Sequence, residues 1–202
     1  MKLFSVIGIS LSGKTTTLER IISELRRRGY SVGSVKEIHF QEFAIDSPGS
    51  NTDRHRRAGA QQVTARGFYE TDLLYQRMLT MDEILLHYDF DFVALEGVSD
   101  IPLPTIVTAH TEREVLERLT PLTFAVSGRL ADSCESAAGL PALSALTQAA
   151  ELTDLVEAKA LAYRPPHSYT LNGRALTARQ NALLAAALGE LPGPALLEEV
   201  EA

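Results

Sequence analysis

The stretch VIGISLSGKTTTLERIISELRRRG, beginning at Val6, constrains this chain more than any other part of it. An apolar strand runs into a turn with two glycines, a lysine and three threonines, and a long amphipathic helix follows. Gly8, four intervening residues and then Gly13-Lys14-Thr15 complete the pattern G-x-x-x-x-G-K-[ST], in its required place between strand and helix. The glycines let the backbone curl until successive N–H groups face one point, and the helix start adds partial positive charge. Gly8, Ser10, Leu11, Ser12, Gly13, Lys14, Thr15 and Thr16 are therefore the expected cradle of a polyphosphate. Lys14 is expected to reach the β and γ phosphates and stabilise charge there, and Thr15 to hold Mg²⁺ through its hydroxyl. A chance Gly/Ser turn is the bland alternative, and the complete pattern in its proper context argues against it.

The rest of the chain repeats the strand-then-helix rhythm. Leu18, Ile21, Ile22 and Leu25 recur at helical spacing, opposite Glu19, Arg20, Glu24 and Arg26, until Gly29 stops the helix. The runs YSVGSVKEI, DFVALEGV, PTIVTAH and LTFAVSG read as strands, and TMDEILLHY and TEREVLERL as helices. GLPALSAL reads as a short strand entering the helix TQAAELTDLVEAKALA. This alternation predicts an α/β fold of the P-loop NTPase type, a mainly parallel sheet with helices on both faces. Residues 39–53 are polar and aperiodic and read as a surface loop. A short helix over 53–58 and two strand-like runs, QQVTARG and ETDLLYQR, follow it, and Thr80 with Glu83 forms a capping pattern. Past Pro165 and Pro166 the character changes to an Asn-Gly hairpin in SYTLNGRALT, a helix in ARQNALLAAALGEL and an acidic tail. The expected organisation is a nucleotide-binding domain over 1–163 and a small hairpin-helix module over 164–202.

Composition narrows the partners. A net charge of −7 and a pI near 5.3 argue against a general nucleic-acid-binding surface. Cys134 is the single cysteine, so no disulfide and no cysteine-rich metal site forms within one chain. No charged-then-apolar leader is seen, and no apolar run approaches the roughly 18 residues of a membrane span. The expected setting is the cytoplasm, with neither nucleic acid nor membrane as partner.

Several acids and bases are candidates beside the phosphate loop. Glu96, followed by Gly97, ends an apolar strand where ligands gather in open α/β sheets, and is expected to meet the magnesium and share in catalysis. An unrelated strand-ending glutamate is the alternative. Asp46 and, more weakly, Asp53 are further metal candidates, although loop acids are commonly solvated turn formers. Arg54, His55, Arg56 and Arg57 form a cluster whose forks suit phosphate oxyanions, or else a solvated helix face. The run RRR at 26–28 reads as cations complementing a helix dipole. His39, just past a strand end, is a candidate to bind phosphate, orient water or touch a metal.

These residues resemble the MobB family, the molybdopterin-guanine dinucleotide biosynthesis proteins B, over roughly residues 2–110. The resemblance rests on the phosphate loop, on VKEIHF, on DSPGSNTDRHRRAGA and on ALEGV. Lys36, His39, Asp46, Pro48, Gly49, Arg57, Ala58-Gly59-Ala60 and Glu96-Gly97 match the family pattern. Glu37 and Phe40 stand where that pattern has histidines, Ser50 where it has a lysine and Asn51 where it has an aspartate. The resemblance implies GTP and Mg²⁺ as ligands, molybdopterin and a protein of cofactor assembly as partners, and a homodimer. It makes Lys36, His39 and Arg57 substrate-binding candidates, and Arg54 joins them from the arginine cluster. No N-K-x-D motif is present, and Asp132 in AVSGRLAD is the candidate reader of the guanine edge, with a helix cap as its alternative.

The expected function is Mg²⁺-dependent GTP binding with slow hydrolysis, in the service of molybdenum cofactor maturation. Turnover is expected to be weak because no residue presents itself as a water-orienting base. Two other classes use the same residues: a small-molecule kinase that consumes ATP once its acceptor is present, and a nucleotide-gated adaptor without useful turnover.

Overall fold

A computed structural model of the chain describes residues 1–40 and 43–163, and beyond them 170–171, 174–176, 180–181 and 183–184. In chain order the elements are β1 (Lys2–Gly8), α1 (Lys14–Arg27), β2 (Val32–Lys36), α2 (Asn51–Arg57), β3 (Gln62–Arg66), β4 (Thr71–Tyr75) and α3 (Met81–Leu85). They continue with β5 (Phe92–Glu96), β6 (Thr105–Thr108), α4 (Glu112–Leu116), β7 (Thr123–Ser127), β8 (Ser136–Ala137) and β9 (Leu140–Pro141). Last come α5 (Ala149–Lys159), β10 (Leu161–Ala162), β11 (Thr170–Leu171) and β12 (Arg174–Ala175). Two compact units divide the chain, one of Met1–Glu37 with Tyr88–Ala202 and one of Ile38–His87.

In the first unit the strand order is β2-β5-β1-β6-β7, and every neighbouring pair is parallel. The strand that feeds the phosphate loop is thus central, between β5 and β6. The expected α/β architecture is present, for the expected reason: β5 and β6 are buried at every residue, as strands covered on both faces must be. Neighbouring strand residues alternate between the two layers. Phe4, Ile106 and Ala125 meet Leu18, Ile21 and Leu25 of α1 and Leu152 and Val156 of α5. Val107 and Val126 meet Val115 of α4 and Ala131 on the opposite face. Each fully buried aliphatic side chain contributes about 1.5–3 kcal/mol. Arg28, just past α1, ties that helix to α5 by ion pairs to Asp154 at 2.6 Å and Glu157 at 3.1 Å. Part of the arginine run therefore docks one helix on another, beyond complementing a dipole.

The Ile38–His87 unit is built on the antiparallel pair β3–β4, with Gln62 opposite Tyr75 and Arg66 opposite Thr71. Ser50 caps α2 by accepting the Asp53 amide at 3.0 Å. Thr80 and Glu83 form both halves of a capping box at the start of α3, as their spacing predicts. Val63 and Leu85 are its buried apolar residues among those described, and Phe68 and Tyr69 stand fully exposed at the hairpin tip.

Three local readings change. The helix read from residue 53 starts two residues early, at Asn51, because Ser50 caps it. GLPALSAL supplies the two-residue β9, and beyond it Ala142 makes only an isolated parallel bridge to Val126. The helix read as far as Ala162 stops at Lys159, and β10 pairs antiparallel with Lys2 and Leu3. That edge of β1 is available because β6 pairs it only from Ser5 onward. The hairpin expected near 170 is present as β11–β12, with Leu171 opposite Arg174. The helix and acidic tail expected after it lie largely outside the described residues. No helix among the described residues is long and apolar enough to cross a membrane.

Candidate functional site

The phosphate loop runs from the end of β1 to the start of α1. Gly13 takes the N-cap position of α1, and no side chain caps the first-turn amides, which leaves those donors to a ligand. Gly8 is required by close approach: a β-carbon there would lie 2.2 Å from the Thr108 carbonyl oxygen. Leu11 stands exposed at the loop crown in a left-handed conformation with φ 61°, which costs a residue with a β-carbon about 1 kcal/mol. Ser10 and Thr16 are exposed as well, whereas Ser12 is buried. Lys14 folds over the loop and donates to the carbonyls of Gly8 at 3.0 Å and Ile9 at 2.6 Å. Burial holds its ammonium below the usual lysine range; Glu96 opposes this shift, and Lys36 and Arg118 add to it.

Glu96 closes the site from the end of β5. Its Oε1 accepts the Thr15 hydroxyl at 2.8 Å and the Lys36 ammonium at 2.7 Å. The sheet fixes this arrangement, because the β2–β5 register sets Lys36 opposite Glu96 and the β1–β5 register sets Val6 opposite the same residue. Gly97 follows and donates its amide to the Val6 carbonyl at 2.9 Å. A buried carboxylate and a threonine hydroxyl are hard oxygen donors, and magnesium needs only one or two protein oxygens when phosphates and water supply the rest. The residues therefore fit the ion that the sequence implies.

Three residues of this site escaped the sequence reading. Thr108, at the end of β6, has its hydroxyl 2.7 Å from that of Ser12 and 3.1 Å from the Ile7 carbonyl. Gly128 and Arg129 close the loop from the end of β7, where the Arg129 amide donates to the Ser12 carbonyl at 3.1 Å. The available signal was positional: each lies at, or just past, the carboxyl end of a strand, as Glu96 does.

The other candidates make contacts of their own. Asp132 ends a short turn at Leu130–Asp132 and accepts the Ser144 hydroxyl at 2.6 Å. His39, Asp46, Arg54 and Arg57 belong to the Ile38–His87 unit. There Asp46 accepts the Ser50 hydroxyl at 2.7 Å, a bond that lowers its pKa. The buried Asp53 accepts the Gly49 amide at 2.8 Å, the Arg57 guanidinium at 2.9 Å and Arg56, and the Gly49 bond foremost lowers its pKa. With its oxygens so engaged, Asp53 acts as a clamp within α2. His39 and Arg54 are exposed.

The family model for molybdopterin guanine dinucleotide synthesis protein B, MobB, matches residues 3–126. The chain belongs to the MobB family. The matched span holds the phosphate loop, Lys36, Glu96 and Thr108, and stops short of Gly128 and Asp132. A MobB relative in Bacillus subtilis, named "Probable molybdopterin-guanine dinucleotide biosynthesis adapter protein", is 30% identical over 145 residues, 69% of this chain and 83% of its own length. In Haemophilus influenzae the "Molybdopterin-guanine dinucleotide biosynthesis adapter protein" is 30% identical over 115 residues, 54% of this chain and 64% of its own. The crystal structure of Bacillus subtilis MobB matches with TM-score 0.64 and 24% identity, covering 79% of this chain and 98% of that one. The MobB homologue from Bacillus stearothermophilus matches with TM-score 0.58 and 23% identity, covering 78% and 99%. At those identities the structural likeness shows a common fold.

Proposed function

We propose that this MobB-family chain binds GTP with Mg²⁺ at the phosphate loop, hydrolyses it slowly and serves as an adapter in molybdopterin guanine dinucleotide biosynthesis. The hydrogen bond from Thr15 to Glu96, at 2.8 Å beside a complete glycine loop, carries the nucleotide part of this reading. The role for which the two relatives are named supports the biosynthetic part. In this reading Lys14 exchanges the Gly8 and Ile9 carbonyls for phosphate oxygens, and the uncapped amides of α1 hold the remaining charge. Thr15 and Glu96 hold the magnesium, which when bound offsets phosphate charge. Hydrolysis is slow because Glu96, the acid at the loop, is committed to cation and hydroxyl. Asp132 is the acid assigned to the guanine edge, and molybdopterin and a protein of cofactor assembly are the assigned partners, with the chain acting as a homodimer in the cytoplasm.

Isothermal titration with GTP and with ATP, each with Mg²⁺, tests the reading. GTP is expected to bind more tightly, and Lys14→Ala to weaken binding at least about thirty-fold, since truncating one partner of a desolvated charged contact costs 2 kcal/mol or more. A preference for ATP, or unchanged affinity in the Lys14 variant, overturns it.

A further inference from the structure

We infer that Lys36 is a tethered cation that competes with magnesium for Glu96 and so sets the magnesium concentration at which the site loads. The inference builds on the nucleotide reading above but concerns a residue to which that reading assigns only a place among substrate-binding candidates. It starts from one shared atom. The Lys36 ammonium and the Thr15 hydroxyl both donate to Oε1 of Glu96, at 2.7 and 2.8 Å. The Lys36 side chain is 55% exposed and that of Glu96 only 7%, so the cation reaches in from solvent while the carboxylate stays in place.

A buried carboxylate at a strand end is costly without a compensating charge. Lys36 supplies that charge from the neighbouring strand, where the register already holds it opposite Glu96. Magnesium held by the same carboxylate would repel the ammonium, so each cation would weaken the hold of the other. Lysine suits a competitor that must leave: its ammonium makes point contacts on a flexible stem, whereas an arginine fork would grip both carboxylate oxygens. An ion pair with one partner this exposed contributes at most about the energy of a surface pair, so its displacement shifts magnesium affinity only a few-fold. Lys36 is thus a positioning residue for Glu96 that raises the magnesium requirement.

The test replaces Lys36 by Met, which keeps the stem and removes the charge, and by Arg, which keeps the charge and strengthens the grip. Mn²⁺ is titrated into the full chain, with and without GDP, and paramagnetic broadening of the Gly97 amide is followed by NMR. Lys36→Met is expected to lower the half-saturating Mn²⁺ concentration about three-fold or more. Lys36→Arg is expected to raise it, with both variants folded as judged by the rest of the amide spectrum. An unchanged or raised midpoint in Lys36→Met overturns the inference and makes Lys36 a ligand of the loaded site or a structural ion-pair partner only. If GDP and GTP fail to bind while Mn²⁺ still broadens Gly97 at a lower concentration in Lys36→Met, the nucleotide reading falls and the inference about Lys36 stands. If nucleotide binds and the midpoints coincide, the reverse holds.

Discussion

The hydroxyls of Ser12 and Thr108 lie 2.7 Å apart, both fully buried, although 96 positions separate them in the chain. Ser12 also donates to the Ile9 carbonyl at 2.8 Å, and Thr108 faces the Ile7 carbonyl at 3.1 Å. Each hydroxyl carries one proton, so with Ser12 bonded to Ile9 the Thr108 proton goes to Ser12 or to Ile7. The pair braces the phosphate loop from the end of the neighbouring strand.

Thr108→Val removes this brace with little change of shape. It is expected to cost about 1–2 kcal/mol of unfolding free energy, because a buried hydroxyl loses a partner, and to weaken nucleotide affinity. Thr108→Ser should restore most of both. Urea denaturation and nucleotide titration on the two variants check this. A Val variant as stable and as tight as the parent would show that the hydroxyl contact contributes nothing.

Gly128→Ala tests the closure from β7. A β-carbon there would lie 2.1 Å from the Ser12 carbonyl oxygen, and the residue has φ 74°, a left-handed conformation. The obstacle is backbone of the phosphate loop and does not swing aside. The expected loss is about 2–4 kcal/mol, from overpacking and conformational strain together. Thermal unfolding measures it, and a midpoint within a degree of the parent would contradict the close approach.

Acid should loosen the end of α1 through Glu24. Its carboxylate accepts the Arg27 fork at 2.6 Å through each oxygen and Arg28 at 2.9 Å, and these bonds, Arg27 first, lower its pKa from 4.5 to about 2. A carboxyl held lower in the folded than in the unfolded state stabilises the fold above its unfolded pKa, and this contribution fades as pH falls toward the folded value. The stabilisation from Glu24 should therefore be complete above about pH 4.5 and fade between there and about pH 2. Comparing denaturation of the parent and Glu24→Gln across that window checks the sign: their stabilities should converge as pH drops, and divergence would refute it.

Local signals made much of this molecule legible. The glycine loop, the apolar periodicity of α1, the uninterrupted run of β5 ending in Glu96 and the Thr80–Glu83 cap all act within a few residues of themselves. Those features depend on backbone conformation and on which face of one element is apolar, and both are written locally. Lys36 was legible as a candidate but not in its role. Its bond to Glu96 spans 60 residues and exists because two strands pair in one register. Asp53 was read as a weak metal candidate; the first turn of α2 holds it where Arg56 and Arg57 turn onto it. The β10 strand was invisible because its signal is an open edge on β1, a property of the assembled sheet.

The sequence by itself determined that a phosphate loop joins a buried strand to an amphipathic helix, and that a mainly parallel α/β sheet carries it. Spacing, glycine placement and apolar runs are enough for that, since each limits what the local backbone can do. Only the tertiary structure decided what surrounds the loop: Thr108 and Gly128 against Ser12, and Lys36 and Thr15 on one oxygen of Glu96. These contacts arise where the carboxyl ends of separate strands converge. Their partners are chosen by strand order and register, which no single segment encodes.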